Sequence, residues 1–302
     1  DGWRDDVAVE IDSAGMIAAV TPDSQEGPRL AGAAVPAMPN IHSHAHQRFM
    51  VGLAERAGPG ADSFWTWREA MYGFALRLTP EDLEAVAAQL YVEMLKAGFS
   101  CVGEFQYLHH QPDGTAYANP AELSLRCLAA ADEAGIAITL LPALYSHGGF
   151  GGAASNPGQR RFINTPDRFL QIFETLAKAK HPLRRLGIAP HSLRAVTIDG
   201  LSQTIAAIPA DAPIHIHIAE QVKEVEDCRA WSNRRPVELL LDSFDLDARW
   251  CAIHATHMTE AETLALARSQ RQPVTLVFAL LVTQGVHLVR GEAAEALTIG
   301  DE

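Results

Sequence analysis

Residues 79–105, TPEDLEAVAAQLYVEMLKAGFSCVGEF, decide the fold because they hold one helix and one strand with clear boundaries. Thr79 is suited to cap the helix through its hydroxyl, and Pro80 suits the first helical position. Apolar residues then recur at helical spacing as far as Gly98, a residue type common at helix ends. The run CVGEF at residues 101–105 is typical of a buried strand. This stretch therefore predicts a helix followed by a buried strand.

The same alternation of helix and strand recurs along the chain. Further helices are predicted at residues 120–134, 166–177 and 259–267, and further strands at residues 136–141, 186–189, 214–218 and 250–254. Such alternation predicts a parallel sheet with crossover helices, either an open doubly wound sheet or a barrel. No glycine-rich phosphate loop follows the first strand, whereas histidines and polar residues end several strands, which is where a barrel builds its active site. We therefore predict an α/β fold of the (β/α)₈ TIM-barrel type.

A separate small module precedes the barrel. Residues 7–12 and 16–20 read as two short strands joined by a Ser-Ala-Gly turn. We expect residues 1–35 to form part of a small β-sandwich that flanks the barrel. The barrel itself is expected to occupy residues 36–302.

The composition excludes several classes of protein. The chain has 302 residues, of which 48% are hydrophobic and 20% charged, so a sizeable core can form and a disordered chain is excluded. The formal net charge of −13 repels phosphate backbones and makes nucleic acid an unsuitable partner. No apolar run reaches the ~18 residues of a membrane helix. The four cysteines form no CxxC pair and indicate reduced thiols in a cytoplasmic protein.

The first candidate for chemistry is the segment PNIHSHAHQ at residues 39–47. On a strand, residues two apart point to the same side, so His42 and His44 can bind one metal ion. Imidazole nitrogens suit Zn²⁺ at ~2.0–2.1 Å. The alternative is that the two histidines are ordinary polar residues on an edge strand.

Two further strands end in histidine. In IHIHIAE at residues 214–220, His217 supplies a possible ligand, and Glu220 supplies a carboxylate that can move protons during hydrolysis. His215 points to the same side but one layer deeper, and we interpret it as a core residue. His254 ends the strand CAIH. Histidines satisfied within the core are the alternative for each strand alone, but three strands with the same ending favour a metal site.

Candidate substrate contacts surround these histidines. Arg68 lies in the aromatic segment FWTWRE, Tyr107 follows one predicted strand, and His191 and Arg194 follow another. An arginine can bind a carboxylate through two parallel hydrogen bonds. Two arginines at strand ends therefore predict a small dianionic ligand, although any one arginine can simply be a solvated surface charge.

As a set, these segments resemble the amidohydrolase superfamily and, within it, the formimidoylglutamate deiminase family. The resemblance covers residues 36–268 and rests on the stretches MPNIHSHAHQR, SFWTWREAMY, GEFQYLHH, PHSLRAV, HIHIAEQVKEVEDC and WCAIHATH. It implies a (β/α)₈ barrel with one zinc ion, and hydrolysis of N-formimino-L-glutamate to N-formyl-L-glutamate and ammonia in histidine degradation.

The resemblance also assigns roles to residues of this chain. It implies zinc ligation by His42, His44 and His217, and proton transfer by Glu220 and His254. The substrate-binding positions that it implies are Gln47, Arg68, Tyr107, His191 and Arg194. The sequence does not fix the oligomeric state, and a homodimer is the assembly that we consider.

The chain departs from the family pattern in two ways. His46 and Gln106 stand where the family leads us to expect Phe and His. Residues 271–302 lack the expected seventh and eighth strands. Asp301 only weakly resembles the aspartate that would complete the zinc site. We expect a truncation or a frame error after about Ser269. Two alternatives to the leading function remain open: a deaminase acting on a nucleobase-like substrate, and an inactive remnant.

Overall fold

The computed structural model describes residues 3–13, 15–54, 63–271 and 273–290, together with residues 292, 295 and 298. Asp301 lies outside the described residues. Near the N-terminus, strands β1 (Ala8–Ile11) and β2 (Ile17–Thr21) pair antiparallel. These are the two strands predicted for the first module, and its membership of a β-sandwich stays a prediction.

A series of parallel strands forms the main body. They are β3 (Met38–Ser43), β4 (Phe99–Gln106), β5 (Ala137–Leu144), β6 (Arg184–Leu186), β7 (Ala189–Pro190), β8 (Ile214–Ile218) and β9 (Trp250–His254). Strand β4 pairs with β3 on one side and with β5 on the other. Both β6 and β7 pair with β5, so they form one interrupted strand position. A parallel bridge from Ile188 to Ile214 leads on to β8, which pairs with β9.

Helices alternate with these strands along the chain. They are α1 (Phe64–Ala75), α2 (Pro80–Lys96), α3 (Glu122–Ala134), α4 (Pro166–Leu176), α5 (Ile198–Ala207), α6 (Val222–Ser232), α7 (Pro236–Ser243), α8 (Glu260–Ser269) and α9 (Pro273–Arg290). Helix α2 begins as predicted, because the Thr79 hydroxyl accepts from the Asp82 amide at 3.1 Å and the Asp82 carboxylate accepts from the Thr79 amide at 3.0 Å. It ends at Lys96, and Gly98 turns the chain with a φ of +91°.

The order of the strands decides between the two predicted architectures. Neighbouring strands follow one another along the chain from β3 to β9, whereas a doubly wound sheet reverses its order at a switch point. The sheet is therefore of the barrel kind, as the sequence predicted. Within the described residues the series reaches six strand positions and is followed by α8 and α9. No helix among these residues is long and apolar enough to cross a membrane.

Apolar packing fixes the ends of the strands. One buried cluster joins α2 and α3 to β4 and β5, with Tyr91 and Phe105 fully buried. A second cluster joins α4 and α5 to β8, with Phe169 and Ile216 fully buried. Since packed interiors are dense and resist deformation, side chains at the carboxyl ends of these strands are held in fixed positions.

Candidate active site

Three imidazole rings meet at the carboxyl ends of β3 and β8. The Nε2 atoms of His42 and His44 are 3.1 Å apart, those of His44 and His217 are 3.2 Å apart, and those of His217 and His42 are 3.3 Å apart. Nitrogen atoms bound to one tetrahedral zinc ion at ~2.0–2.1 Å lie about 3.3–3.4 Å from one another. The triangle therefore has the dimensions of three ligands to one zinc ion.

Hydrogen bonds on the far side of two rings orient their lone pairs. His44 Nδ1 donates to the carbonyl of Phe105 at 2.8 Å, and His217 Nδ1 donates to the carbonyl of His191 at 3.1 Å. Their Nε2 atoms then carry lone pairs that face each other, an arrangement that a bound cation would stabilise. The donor set thus fits a metal ion.

Burial keeps these rings neutral. It lowers the pKa of His42 to about 4, with smaller contributions from His254 and His215. It also lowers the pKa values of His44 and His217 well below the usual value for histidine. Neutral imidazole is the form that binds metal, so the site needs no deprotonation of these rings at neutral pH.

A second grouping of possible ligands overlaps the first. His42, His217 and His254 also bring ligand atoms within 4.8 Å of one another. The triangle that includes His44 is tighter, and His254 lies 3.6 Å from the carboxylate of Glu220 with a side chain that is 37% exposed. We therefore favour His44 as the third ligand and place His254 beside Glu220.

Strained backbone presents Glu220 and His254 to the cavity. Ala219 and His254 have φ angles of +50° and +70°, and Ala255, which follows β9, has a φ of +50°. Non-glycine residues rarely adopt this conformation, which costs about 1–3 kcal/mol per residue and recurs at functional sites. The strain turns the chain sharply where β8 and β9 end.

Glu224, a residue not predicted from the sequence to have a role, stabilises one of these turns. Its carboxylate accepts from the amides of Ala219 at 3.2 Å and Glu220 at 3.0 Å. The side chain is buried, so these bonds hold the backbone of Glu220 firmly. A carboxylate in the first turn of α6 was the available signal, because such a residue can accept from the free amides of a helix start.

The predicted substrate contacts surround one cavity of about 200 Å³. Its lining joins the three imidazoles, Glu220 and His254 to all five predicted contacts: Gln47, Arg68, Tyr107, His191 and Arg194. Drug-sized ligands occupy pockets of ~300–1,000 Å³, so this cavity suits a smaller molecule. The cavity therefore combines three possible metal ligands, His42, His44 and His217 (the metal pole), with two guanidinium groups, those of Arg68 and Arg194 (the anion-binding pole).

The prediction that both arginines stand at strand ends was wrong for Arg68. This residue lies on α1, which begins because Ser63 and Thr66 form a reciprocal capping box. The serine cap in the segment SFWT was the overlooked signal. Arg194 does follow a strand, β7, and its buried Nε has no hydrogen-bond partner among the described residues. Two different elements thus deliver the two guanidinium groups.

Two tyrosines that were not predicted from the sequence also line the cavity. Tyr72 lies one turn after Arg68 on α1, with its ring 5.6 Å from the guanidinium carbon. Tyr145 comes directly after β5, and its hydroxyl accepts from the Gln159 amide at 2.7 Å. A polar residue at the end of a barrel strand was the signal for Tyr145. Nothing in the sequence marked Tyr72.

A chain of polar groups connects Gln47 to Tyr107. The Gln47 amide donates to the Tyr107 hydroxyl at 3.1 Å, and that hydroxyl donates to the sulfur of Met71 at 3.5 Å. Burial raises the pKa of Tyr107, so its hydroxyl stays protonated. Its single hydroxyl hydrogen can therefore turn from the Met71 sulfur, a weak acceptor, to a ligand.

His46 is a buried ring at the position where the family leads us to expect Phe. It is 2% exposed and packs edge-on against Tyr107, with 4.4 Å between the ring centroids. Neither ring nitrogen has a hydrogen-bond partner among the described residues. A buried polar group without a partner costs about 1–3 kcal/mol.

We expect His46→Phe to stabilise the protein at neutral pH. Phenylalanine keeps the aromatic contact with Tyr107 and removes two unpaired polar atoms, so the free energy of unfolding should rise by about 1–3 kcal/mol. Chemical denaturation of the metal-free protein measures this, with the loop variant His257→Phe as control. A lower stability for His46→Phe would show that the ring nitrogens have partners or that phenylalanine does not fit.

Comparison with known proteins shows the family of this chain. Residues 33–294 match the model of the Amidohydrolase family. A formimidoylglutamate deiminase from Pseudomonas aeruginosa is 53% identical over 89% of this chain and 60% of its own length. The chain thus spans about three fifths of that relative.

Solved structures show the same fold. An amidohydrolase from Brucella melitensis superposes with a TM-score of 0.81 at 54% identity, over 91% of this chain and 63% of its own. An atrazine chlorohydrolase from Arthrobacter aurescens, complexed with zinc, superposes with a TM-score of 0.66 at 18% identity, over 87% of this chain and 59% of its own. With the family model matching most of its length, the chain belongs to the amidohydrolase family.

Proposed function

We propose that this protein hydrolyses N-formimino-L-glutamate to N-formyl-L-glutamate and ammonia, with one zinc ion per chain. The observation that carries the proposal is a cavity lined both by three converging imidazoles and by two guanidinium groups. The similarity to the deiminase of Pseudomonas aeruginosa supports the same substrate, and the zinc complex of the chlorohydrolase supports the metal.

The histidines would hold the metal, and the neighbouring residues would handle protons. A zinc ion bound by His42, His44 and His217 would supply hydroxide at neutral pH by lowering the pKa of bound water towards ~7. Glu220 would accept one proton of the attacking water and pass it to the formimino nitrogen, and would then move the second proton from the new hydroxyl group to the same nitrogen. The C–N bond then breaks as the formyl carbonyl forms, and the nitrogen leaves as neutral ammonia. His254, 3.6 Å from the Glu220 carboxylate, would stabilise the charge that develops during the attack.

The other pole of the cavity would bind the glutamate part of the substrate. Arg68 and Arg194 would each pair with one carboxylate. The protonated hydroxyl of Tyr107, oriented by Gln47, would donate a further hydrogen bond. His191 supports the site through its backbone carbonyl, which accepts from both the amide and the ring of His217. Fixing both ends of the substrate places the formimino carbon at the metal pole.

Replacing Arg194 with alanine tests the anion-binding pole. Loss of a charged hydrogen-bond partner costs about 1.5–3 kcal/mol, so we expect KM to rise roughly 10- to 150-fold in Arg194→Ala. The exposed Arg185 offers a matched control, since Arg185→Ala removes a guanidinium outside the cavity. Steady-state kinetics of ammonia release measures both variants. An unchanged KM in Arg194→Ala would remove the guanidinium from substrate binding.

Parallel assays on formiminoglutamate and on cytosine, guanine and adenine decide the substrate class. We expect ammonia to be released from formiminoglutamate and not from any of the three bases. Activity on a base would favour the nucleobase alternative, and zinc-loaded protein inactive on every substrate would favour the remnant. A homodimer and a cytoplasmic location stay predictions.

A further inference from the structure

Arg161 is a fully buried arginine that lies outside the cavity lining. Its guanidinium donates to the carbonyls of His110 at 2.7 Å and Leu78 at 2.9 Å, to the carbonyl of Ala75, and to the hydroxyl of Tyr117 at 3.4 Å. Its own carbonyl accepts from the amides of His109 and His110. The acceptors are uncharged, so the buried charge is stabilised by dipoles rather than by an ion pair.

The carbonyls come from two segments that carry proposed substrate contacts. Ala75 is the last residue of α1, the helix that presents Arg68 and Tyr72 to the cavity. His110 lies three residues after Tyr107, in the loop that follows β4. Arg161 also precedes Phe162, whose ring packs against Tyr107 with a centroid separation of 5.1 Å. One guanidinium therefore joins the end of the helix that carries Arg68 to the loop that follows Tyr107.

The partial charge at the end of α1 explains why Arg161 binds there. The last turn of α1 contains no basic residue, and its carbonyls form the negative end of the helix dipole. Arg161 brings a positive charge to that end from another part of the chain. The strands of the metal pole, β3, β8 and β9, supply none of its hydrogen-bond partners among the described residues.

We propose that Arg161 is a positioning residue, which fixes α1 against the loop after β4 so that Arg68 and Tyr107 face the same ligand. This role rests on the proposed function only for the identity of the ligand. Removing the guanidinium should loosen the anion-binding pole and leave the metal pole intact. A displacement of about 1 Å in a group that positions the substrate can lower the reaction rate ~10²-fold.

The test uses Arg161→Met and Arg161→Lys, with Arg126→Met and Arg126→Lys as matched controls. Arg126 pairs with Glu84 and Glu122 and joins α3 to α2, away from the cavity. The lysine variant keeps a positive charge and can donate to some of the same carbonyls, which preserves folding if the methionine variant does not fold. Calorimetry measures binding of N-formyl-L-glutamate and of zinc, and hydrogen exchange follows residues 64–75 and 214–218.

The expected result is a loss of ~10- to 100-fold in N-formyl-L-glutamate affinity in the Arg161 variants, with lysine losing less than methionine and zinc affinity unchanged. In the Arg161 variants, hydrogen exchange should become faster at residues 64–75 and stay the same at residues 214–218. The Arg126 variants should change neither the affinity for N-formyl-L-glutamate nor the affinity for zinc. Unchanged exchange in α1, or equal losses of zinc and dicarboxylate affinity, would overturn the proposal. Wild-type protein that does not bind N-formyl-L-glutamate would instead contradict the proposed function, and the exchange data would still decide the role of Arg161.

Discussion

Glu220→Gln should retain its metal ion and lose ~10²–10⁴-fold in the rate of ammonia release, the usual contribution of a general acid and base. The amide keeps the size of the side chain but neither accepts the proton of water nor returns it to the leaving nitrogen. The carboxylate lies 3.6 Å from His254 and lines the same cavity as the three imidazoles, which is where the proposed attack would take place.

Steady-state kinetics and zinc content together measure this effect. Glu226→Gln is the matched control, because Glu226 is exposed on α6 in the same short segment. We expect full activity and full zinc content in the control. Loss of zinc in Glu220→Gln would identify Glu220 as a ligand instead, and retained activity would remove it from the mechanism.

The framework of the barrel was predictable from sequence because its strands and helices carry local signals. The bounds of β8 and β9 were predicted as observed, since each is a short apolar run with a histidine at or next to its carboxyl end. Helix α2 was predicted from its cap and its first proline. These signals lie within a few residues of the feature that they predict.

The histidines of the metal pole were predictable from the sequence, but the distances between them were not. Histidines at the ends of separate strands indicated a shared site, because the carboxyl ends of parallel barrel strands lie at one face. His44 and His217 are 173 residues apart in the chain, however, and their 3.2 Å separation depends on how the strands pair and tilt. Only the folded chain supplies that distance.

The proposed anion-binding pole was harder to predict because helices and buried side chains build it. Arg68 was placed at a strand end, since the serine cap of α1 was overlooked. Arg161 carries no sequence signal at all, because an arginine is usually a solvated surface charge and its burial depends on carbonyls from distant segments. Tyr72 faces the cavity only because α1 packs with that side inward. Tertiary packing, not local pattern, decides these positions.

Replacing one ligand of the metal pole should have an effect as large as the loss of Glu220. Structural zinc sites with four ligands are worth roughly 10–16 kcal/mol, so one imidazole contributes about 3 kcal/mol, or ~10²–10³-fold in affinity. We therefore expect His217→Ala to lower zinc affinity by that factor and to abolish ammonia release at limiting zinc. Competition with a chromophoric chelator measures the affinity.

His215→Ala is the control for His217→Ala, because it removes an imidazole from the same strand, two residues earlier. His215 makes no contact with the His42–His44–His217 triangle among the hydrogen bonds of the described residues. The control should bind zinc as the unmodified protein does. Equal losses in the two variants would mean that both histidines act through the packing of β8, whereas full zinc affinity in His217→Ala would show that the metal lies elsewhere. A selective loss in His217→Ala would place the ion at the triangle, since the two substitutions remove the same side chain from the same face of β8 and differ in its depth in the barrel.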